Sequence, residues 1–300
     1  MSEGKERAQA RLENLEAIEP LLGSLRVLSL STMQMAQNRL ESLELYSERF
    51  TIIAAQLAQL AKPELSQPKT NEAEEYKPRQ VKRVLAVLGS SRGIAGQYNR
   101  QLARQARLVI DESESAPYTI LAFGKRVQTS LTQEKVTFQA NEALNTGSMP
   151  NYDQASKQIR EWMHALKDAK LTSVDVLSFK RQSGSNEYLP LVTRLLPQED
   201  LVTASGISME LPFPEPIIEG EPKALLSRIS DHLVAIQFYE LILQAIAAEN
   251  LFRYRLLEEA KENTSGLLEE LRQSIQVERR KEITQQLQEL LVGSGMLAER

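Results

Sequence analysis

Residues 223–291 read KALLSRISDHLVAIQFYELILQAIAAENLFRYRLLEEAKENTSGLLEELRQSIQVERRKEITQQLQELL, with no proline and a single glycine, Gly266. Ile229, Ile236, Tyr239, Leu243, Ile246, Leu257, Ala260, Leu267 and Leu271 hold one heptad phase through this stretch, the spacing of a helix whose apolar seam faces another helix. At 1.5 Å per residue such a helix extends about 100 Å, too long to fold back into a globule of 300 residues. It therefore needs a partner.

The amino-terminal arm supplies one. Leu15, Ile18, Leu22 and Leu25 step by 3, 4 and 3 residues, and Leu43, Tyr46, Phe50, Ile53, Leu57 and Leu60 resume the same phase. Small residues, Ser29, Thr32 and Ala36, fill the seam between them and permit close approach of a second helix. Proline placement agrees: Pro20 alone precedes residue 62, and the other eleven prolines fall between Pro63 and Pro222. The simplest arrangement is an antiparallel coiled coil of the two ends, carrying the middle as an insertion. Pro20 and Gly23 predict a kink or an interruption of the first helix, which would leave residues 1–19 as a separate helical segment.

The middle alternates strand-like and helix-like stretches. Strands are expected at Val81–Leu88, Tyr118–Phe123, Glu134–Phe138 and Val174–Phe179. Helices are expected at Gln97–Ile110 and at Asp153–Ala169, the latter with Ile159, Trp162, Met163 and Leu166 on one face. This is a Rossmann-like α/β layered domain. The expected division is a coiled-coil helix over 1–61, a linker over 62–80, a central α/β domain over 81–216 and a second coiled-coil helix over 217–300. Pro- and Glu-rich connectors, Lys62–Pro78 and Leu211–Pro222, join the insertion to the arms.

Composition closes off several function classes. The 36 basic against 40 acidic side chains give a net charge of -4, so the chain as a whole is no scaffold for nucleic acid. With no cysteine, thiolate catalysis, Cys-ligated zinc and disulfides are excluded, and two histidines, His164 and His232, give almost no material for a metal site. Neither histidine has a spaced ligand partner, so each reads as a surface or core residue. Aromatics are 5%, as suits long helices. The most apolar stretch, Thr51–Ala61, is short of a membrane span and is broken by Gln56 and Gln59. The start, MSEGKERAQARLENLE, lacks the apolar core of a signal peptide, and a cytoplasmic address is expected.

The turn Gly89-Ser-Ser-Arg-Gly93-Ile-Ala-Gly96-Gln-Tyr-Asn99 sits where a phosphate cradle would, after a strand and before a helix. Its G-x3-G-x2-G spacing fits neither the dinucleotide fingerprint nor the P-loop, and Gly124-Lys125-Arg126 fails likewise. A tight strand-to-helix turn is the expected role. Paired acids such as Glu258-Glu259 and Glu269-Glu270 read as solvated helix face. Arg279-Arg280-Lys281 is too short and too poor in aromatics for nucleic acid, and suits an acidic protein loop.

Several segments resemble the gamma subunit of F-type ATP synthases. Ser91–Asn99 resembles that family's D-R-G-L-C-G-G-L-N turn, with Arg92, Gly93, Gly96 and Asn99 in place as structural turn residues. Glu215-Pro216 followed by Pro222-Lys223-Ala224-Leu225-Leu226 is similar to its entry into the last helix. Ala247-Ala248-Glu249 with Arg253 resembles its A-S-E-x-x-x-R signature. Arg279, Ile283, Thr284, Glu289 and Gly293 fit its closing R-Q-x-x-I-T-x-E-L-x-E-I-x-x-G. The chain departs from the family where Pro20–Leu25 replaces the basic K-I-T-K-A-M stretch.

The resemblance implies a non-catalytic rotor shaft without cofactor, nucleotide or metal. It would lie inside a hexamer of alpha and beta subunits, touch the epsilon subunit and the membrane ring of c subunits, and sit at the cytoplasmic face of a bacterial plasma membrane. It places Arg279, Arg280 and Thr284 at the contact between rotor and hexamer. Two other classes stay open at this point: a coiled-coil scaffold paralogue without a rotor role, motivated by the changed first helix, and a nucleotide-using α/β enzyme, motivated only by the glycine turn. Neighbouring genes for the hexamer subunits would separate the first from the rotor, and ATP binding abolished at Gly93 or Gly96 would reveal the second.

Overall fold

The computed structural model describes residues 3–65, 82–113, 117–141, 149–168, 171–182, 187–196 and 218–293. Helix α1 (Glu3–Leu65) is followed by β1 (Arg83–Leu88), α2 (Tyr98–Glu112), β2 (Tyr118–Phe123), α3 (Lys125–Gln133), β3 (Gln139–Asn141), α4 (Tyr152–Lys167), β4 (Ser173–Arg181), β5 (Tyr188–Leu196) and α5 (Pro222–Gly293). Most of the expected connectors, residues 66–80 and 197–217, lie outside the described residues. Residues up to Leu30 form one compact unit with those from Arg253 onward, and Ser31–Phe252 form the other.

In the larger unit the strands run β3-β2-β1-β4-β5. β1 pairs in parallel with both β2 and β4, β2 with β3, and β5 closes the edge antiparallel to β4. β1 and β4 are buried along nearly their whole length, which is why they read as unbroken apolar runs. α2 lays Tyr98, Leu102, Ala103 and Ala106 on the sheet, and α4 adds Ala155, Ile159 and Trp162 to the same core. α5 contributes Val234, Phe238, Leu241, Ile242 and Ala245, each such buried large side chain being worth about 1.5–3 kcal/mol against exposure. On α1, Phe50 and Ala54 pack against Leu226, Ile229, Leu233 and Ile236 of α5. Arg39 donates to the Tyr239 hydroxyl, and Tyr46 meets His232, so residue numbers rise on one helix as they fall on the other.

The smaller unit repeats the antiparallel pairing. Arg272 binds Glu16, Ser265 donates to Glu19, and Arg26 binds Glu258, with Tyr254 under the Arg26 guanidinium. Leu257, Thr264 and Leu268 are buried on α5, and Ser29 on α1.

Four expectations need correction. Ile18, Leu25, Tyr46, Ile53 and Leu267 were expected in the seam but are 40–45% exposed; in the smaller unit Glu19 and Arg26 take the inner positions because their partners on α5 hold them there. The strand expected at Glu134–Phe138 begins only at Gln139, because Glu134 and Lys135 close α3, Lys135 at φ 56°. Helix α3 and strand β5 were not anticipated. Finally, α1 runs uninterrupted through Pro20 and Gly23, so residues 3–19 are not a separate segment. Pro20 and Glu16, the residue whose carbonyl loses its helical donor, are both exposed.

Candidate functional site: the glycine turn against the last helix

β1 ends at Leu88, and the Gly89 N–H donates to the Phe123 carbonyl at 2.9 Å. A Cβ on Gly89 would fall 2.2 Å from Val127 Cβ, and one on Gly124, at φ +103°, would fall 2.6 Å from the Gly89 carbonyl oxygen. Two chain reversals thus touch backbone to backbone, and only glycine admits the contact. The Arg126 N–H donates to the Ser90 carbonyl and ties α3 to the same turn.

The turn spends its polar groups on itself. The Ser90 N–H donates to Asn99 Oδ1, Asn99 Nδ2 donates to Ser90 Oγ, and Ser90 Oγ donates to the Arg92 carbonyl, all at 2.9–3.0 Å. Gly96 takes φ +53°, and Ile94, exposed, takes φ 59°, a conformation costly for a β-branched residue. Arg92 is exposed and Gly93 lies beside the Arg126 guanidinium.

Ligands in doubly wound sheets sit beyond the carboxyl ends of the strands where the order reverses, here between β1 and β4. Tyr98 fills that crevice. Its hydroxyl shares one proton between the carbonyls of Leu88 and Ala245, at 3.1 and 3.2 Å, and its ring stacks on Phe179 at 4.7 Å. What remains, lined in part by Ile242, Ile246 and Glu249, is a cavity of about 10 Å³, room for one water at most. The place where a nucleotide would bind grips α5 instead.

At the opposite ends of these strands, Asp175, 2% exposed, accepts from the Tyr118 hydroxyl at 2.7 Å and pairs with Arg83 and Arg194. Burial and this carboxylate push the Tyr118 hydroxyl up to about 12. The cluster spans β2, β1, β4 and β5, and sits beside the β-bulge between Val174 and Asp175.

His232, which the sequence offered no partner for, is bracketed by two hydroxyls: Tyr46 on Nε2 at 3.1 Å and Tyr152 on Nδ1 at 2.9 Å. Burial lowers its basicity. No periodicity could have joined residues from α1, α4 and α5. His164 is exposed on α4. Arg279, Arg280 and Thr284 are exposed on α5 in the smaller unit, the Thr284 hydroxyl donating to the Arg280 carbonyl at 2.9 Å. These three residues belong to the smaller unit and the glycine turn to the larger.

A family model described as ATP synthase matches residues 5–297. The chain belongs to the gamma family of ATP synthase. It is 25% identical over 306 residues to the ATP synthase gamma chain of Renibacterium salmoninarum, covering 96% of each chain. It is 25% identical over 304 residues to that of Verminephrobacter eiseniae, covering 99% of each. A chain in the central stalk and c-ring structure of the Tetrahymena thermophila mitochondrial ATP synthase shares the fold, with a TM-score of 0.52 at 15% identity, covering 80% of this chain and 99% of that one. The gamma family is a non-catalytic stalk subunit of the complex, so the chain is not an enzyme. Among the described residues, no helix is long and apolar enough to cross a membrane.

Proposed function

We propose that the chain is the central rotor shaft of an F-type ATP synthase, carrying torque between the membrane ring of c subunits and the catalytic hexamer of alpha and beta subunits, with the epsilon subunit on its α/β domain. The observation that supports this reading most is the use of the sheet's ligand crevice as a grip on α5 through Tyr98 and Ala245. A domain fixed in this way passes rotation to the helix it holds. The shaft forces the catalytic sites into different states in turn. The complex lies at the cytoplasmic face of a bacterial plasma membrane.

Arg279, Arg280 and Thr284 meet a catalytic subunit in this reading. Their exposure on α5 leaves two guanidinium groups able to form charge-assisted hydrogen bonds, each worth about 1.5–3 kcal/mol to a carboxylate or carbonyl partner. The test is the double variant Arg279→Ala with Arg280→Ala in reconstituted complex. Coupled ATP synthesis is expected to fall while the chain's own unfolding midpoint stays put. Unchanged synthesis removes these residues from the mechanism, and failure of the wild-type chain to co-purify with hexamer subunits removes the rotor reading itself.

A further inference from the structure

We propose that the amino-terminal turns of α1 have two packing arrangements on α5, the observed one and a second in which α1 is turned by about one residue, roughly 100° about its axis. In the observed arrangement Leu15, Glu19, Leu22, Arg26 and Ser29 face α5. Ile18, Leu21, Leu25 and Leu28 face outward at 45, 61, 40 and 62% exposure. The outer set has the same 3, 4 and 3 spacing as a seam and precedes Glu19, Leu22, Arg26 and Ser29 by one position each. Turning α1 brings the four apolar side chains against Leu257, Leu268, Leu271 and Ile275 of α5, and carries Glu19 and Arg26, with the half-buried Leu15 and Leu22, away from it.

The inner set is an unusual one to bury. Beside Leu15 and Leu22 the inner set holds a glutamate and an arginine, bound by Ser265 and Glu258, while Ile18, Leu21, Leu25 and Leu28 stay outside. The fit is incomplete, because the Arg26 Nε is buried without a hydrogen-bond partner among the described residues. The pair of Arg26 with Glu258 and the pair of Glu16 with Arg272 favour the observed arrangement; salt weakens the exposed second pair strongly and the half-buried first pair less. Hydrophobic burial, which salt does not weaken, favours the other. The two arrangements present different chemistry to a neighbour: a wholly apolar stripe in the first, and Glu19 and Arg26 interleaved with Leu15 and Leu22 in the second. A partner that covers the stripe therefore selects the first, and the free chain under salt moves toward the second.

The chain has no cysteine, so single introduced thiols report cleanly. Maleimide labelling of the full-length chain is followed in two variants, Leu25→Cys, now exposed, and Ser29→Cys, now buried. Ionic strength is raised from about 0.01 to about 1 M, shrinking the Debye length from about 30 to about 3 Å. The expected result is reciprocal: labelling at position 25 slows about five- to tenfold while labelling at position 29 quickens by a similar factor. Adding Glu16→Gln and Glu258→Gln should produce the same reversal at low salt, with helix content by circular dichroism unchanged. Quickening at both positions means that the helices separate, and overturns the proposal. Constant rates at both positions across the salt range mean one arrangement only, and overturn it as well.

Discussion

The Tyr98 hydroxyl lies 3.2 Å from the Ala245 carbonyl, so α2 is hydrogen-bonded to α5 at the crevice where the strand order reverses. Both residues are buried, and the same hydroxyl serves the Leu88 carbonyl at the end of β1. Tyr98→Phe keeps the ring on Phe179 and strips the proton from two buried acceptors. Stability is expected to fall by about 1–2 kcal/mol. Tyr98→Ala also empties the crevice and should cost about 3–5 kcal/mol. Urea unfolding checks both, with the midpoint moving and the slope constant for the phenylalanine variant.

Backbone contact between two turns makes Gly124 the least replaceable residue near the site. Gly124→Ala sets a Cβ 2.6 Å from the Gly89 oxygen at φ +103°, and the expected loss exceeds about 3 kcal/mol. Gly96→Ala meets nothing within 4 Å and carries only the cost of φ +53°, about 1 kcal/mol. Ile94→Gly runs the other way. It relieves a left-handed β-branched residue whose side chain is 53% exposed, and should stabilise by up to about 1 kcal/mol. Thermal midpoints of the three full-length variants, ranked in that order, check the account.

Glu240 gives the stability a pH dependence near neutrality. Burial pushes its carboxyl from 4.5 up to about 7, Glu44 on α1 adds to the rise, and Lys180 on β4 opposes it. A carboxyl that holds its proton more firmly folded than unfolded contributes its full stabilisation below about pH 4.5, and loses it as pH rises through about 7. Glu240→Gln should therefore stabilise at pH 8 by about 1–2 kcal/mol, after allowance for solvent screening of the exposed part, and change little at pH 4.5. Denaturant midpoints at the two pH values test the sign: a variant equally stabilised at both, or destabilised at pH 8, contradicts it.

Much of the fold was legible because its signals are local. Tyr118–Phe123 is β2 residue for residue, and α2 and α4 fall within two residues of their expected ends, since buried apolar runs and amphipathic periods are written in neighbouring residues. β5 was missed because its buried and exposed residues do not alternate and Pro190 sits within it, features of an edge strand. α3 leaves little sequence signal, because nine residues with only Val127 and Leu131 buried carry little period. The phase of the seam is not written in neighbouring residues. α1 carries overlapping apolar stripes, Leu15-Ile18-Leu22-Leu25 among them, and the choice between them rests on Arg26 with Glu258 and Glu19 with Ser265, partners more than 200 positions apart. His232 was illegible on the same ground.

Continuity of α1 through Pro20 and Gly23 sets the last expectation. Proline in a helix interior forfeits a hydrogen bond and crowds the preceding turn, at about 3 kcal/mol, and glycine costs about 1 kcal/mol against alanine. Neither residue is compensated by packing, since Pro20 is exposed and a Cβ on Gly23 would meet nothing within 4 Å. Part of the proline cost is returned by its stiffening of the unfolded chain, about 0.4–1 kcal/mol. Pro20→Ala should thus stabilise by about 2 kcal/mol, and Gly23→Ala and Gly266→Ala by about 0.5–1 kcal/mol each, measured as denaturant midpoints. Gly23 and Pro20 share a helical turn, so their double variant need not be additive, whereas Gly266 lies on the other helix and its effect should add to theirs. If Pro20→Ala instead destabilises the chain, the proline ring is engaged in a contact that favours the present packing of α1. Gly23→Ala would then still stabilise, because its open surroundings do not depend on the proline.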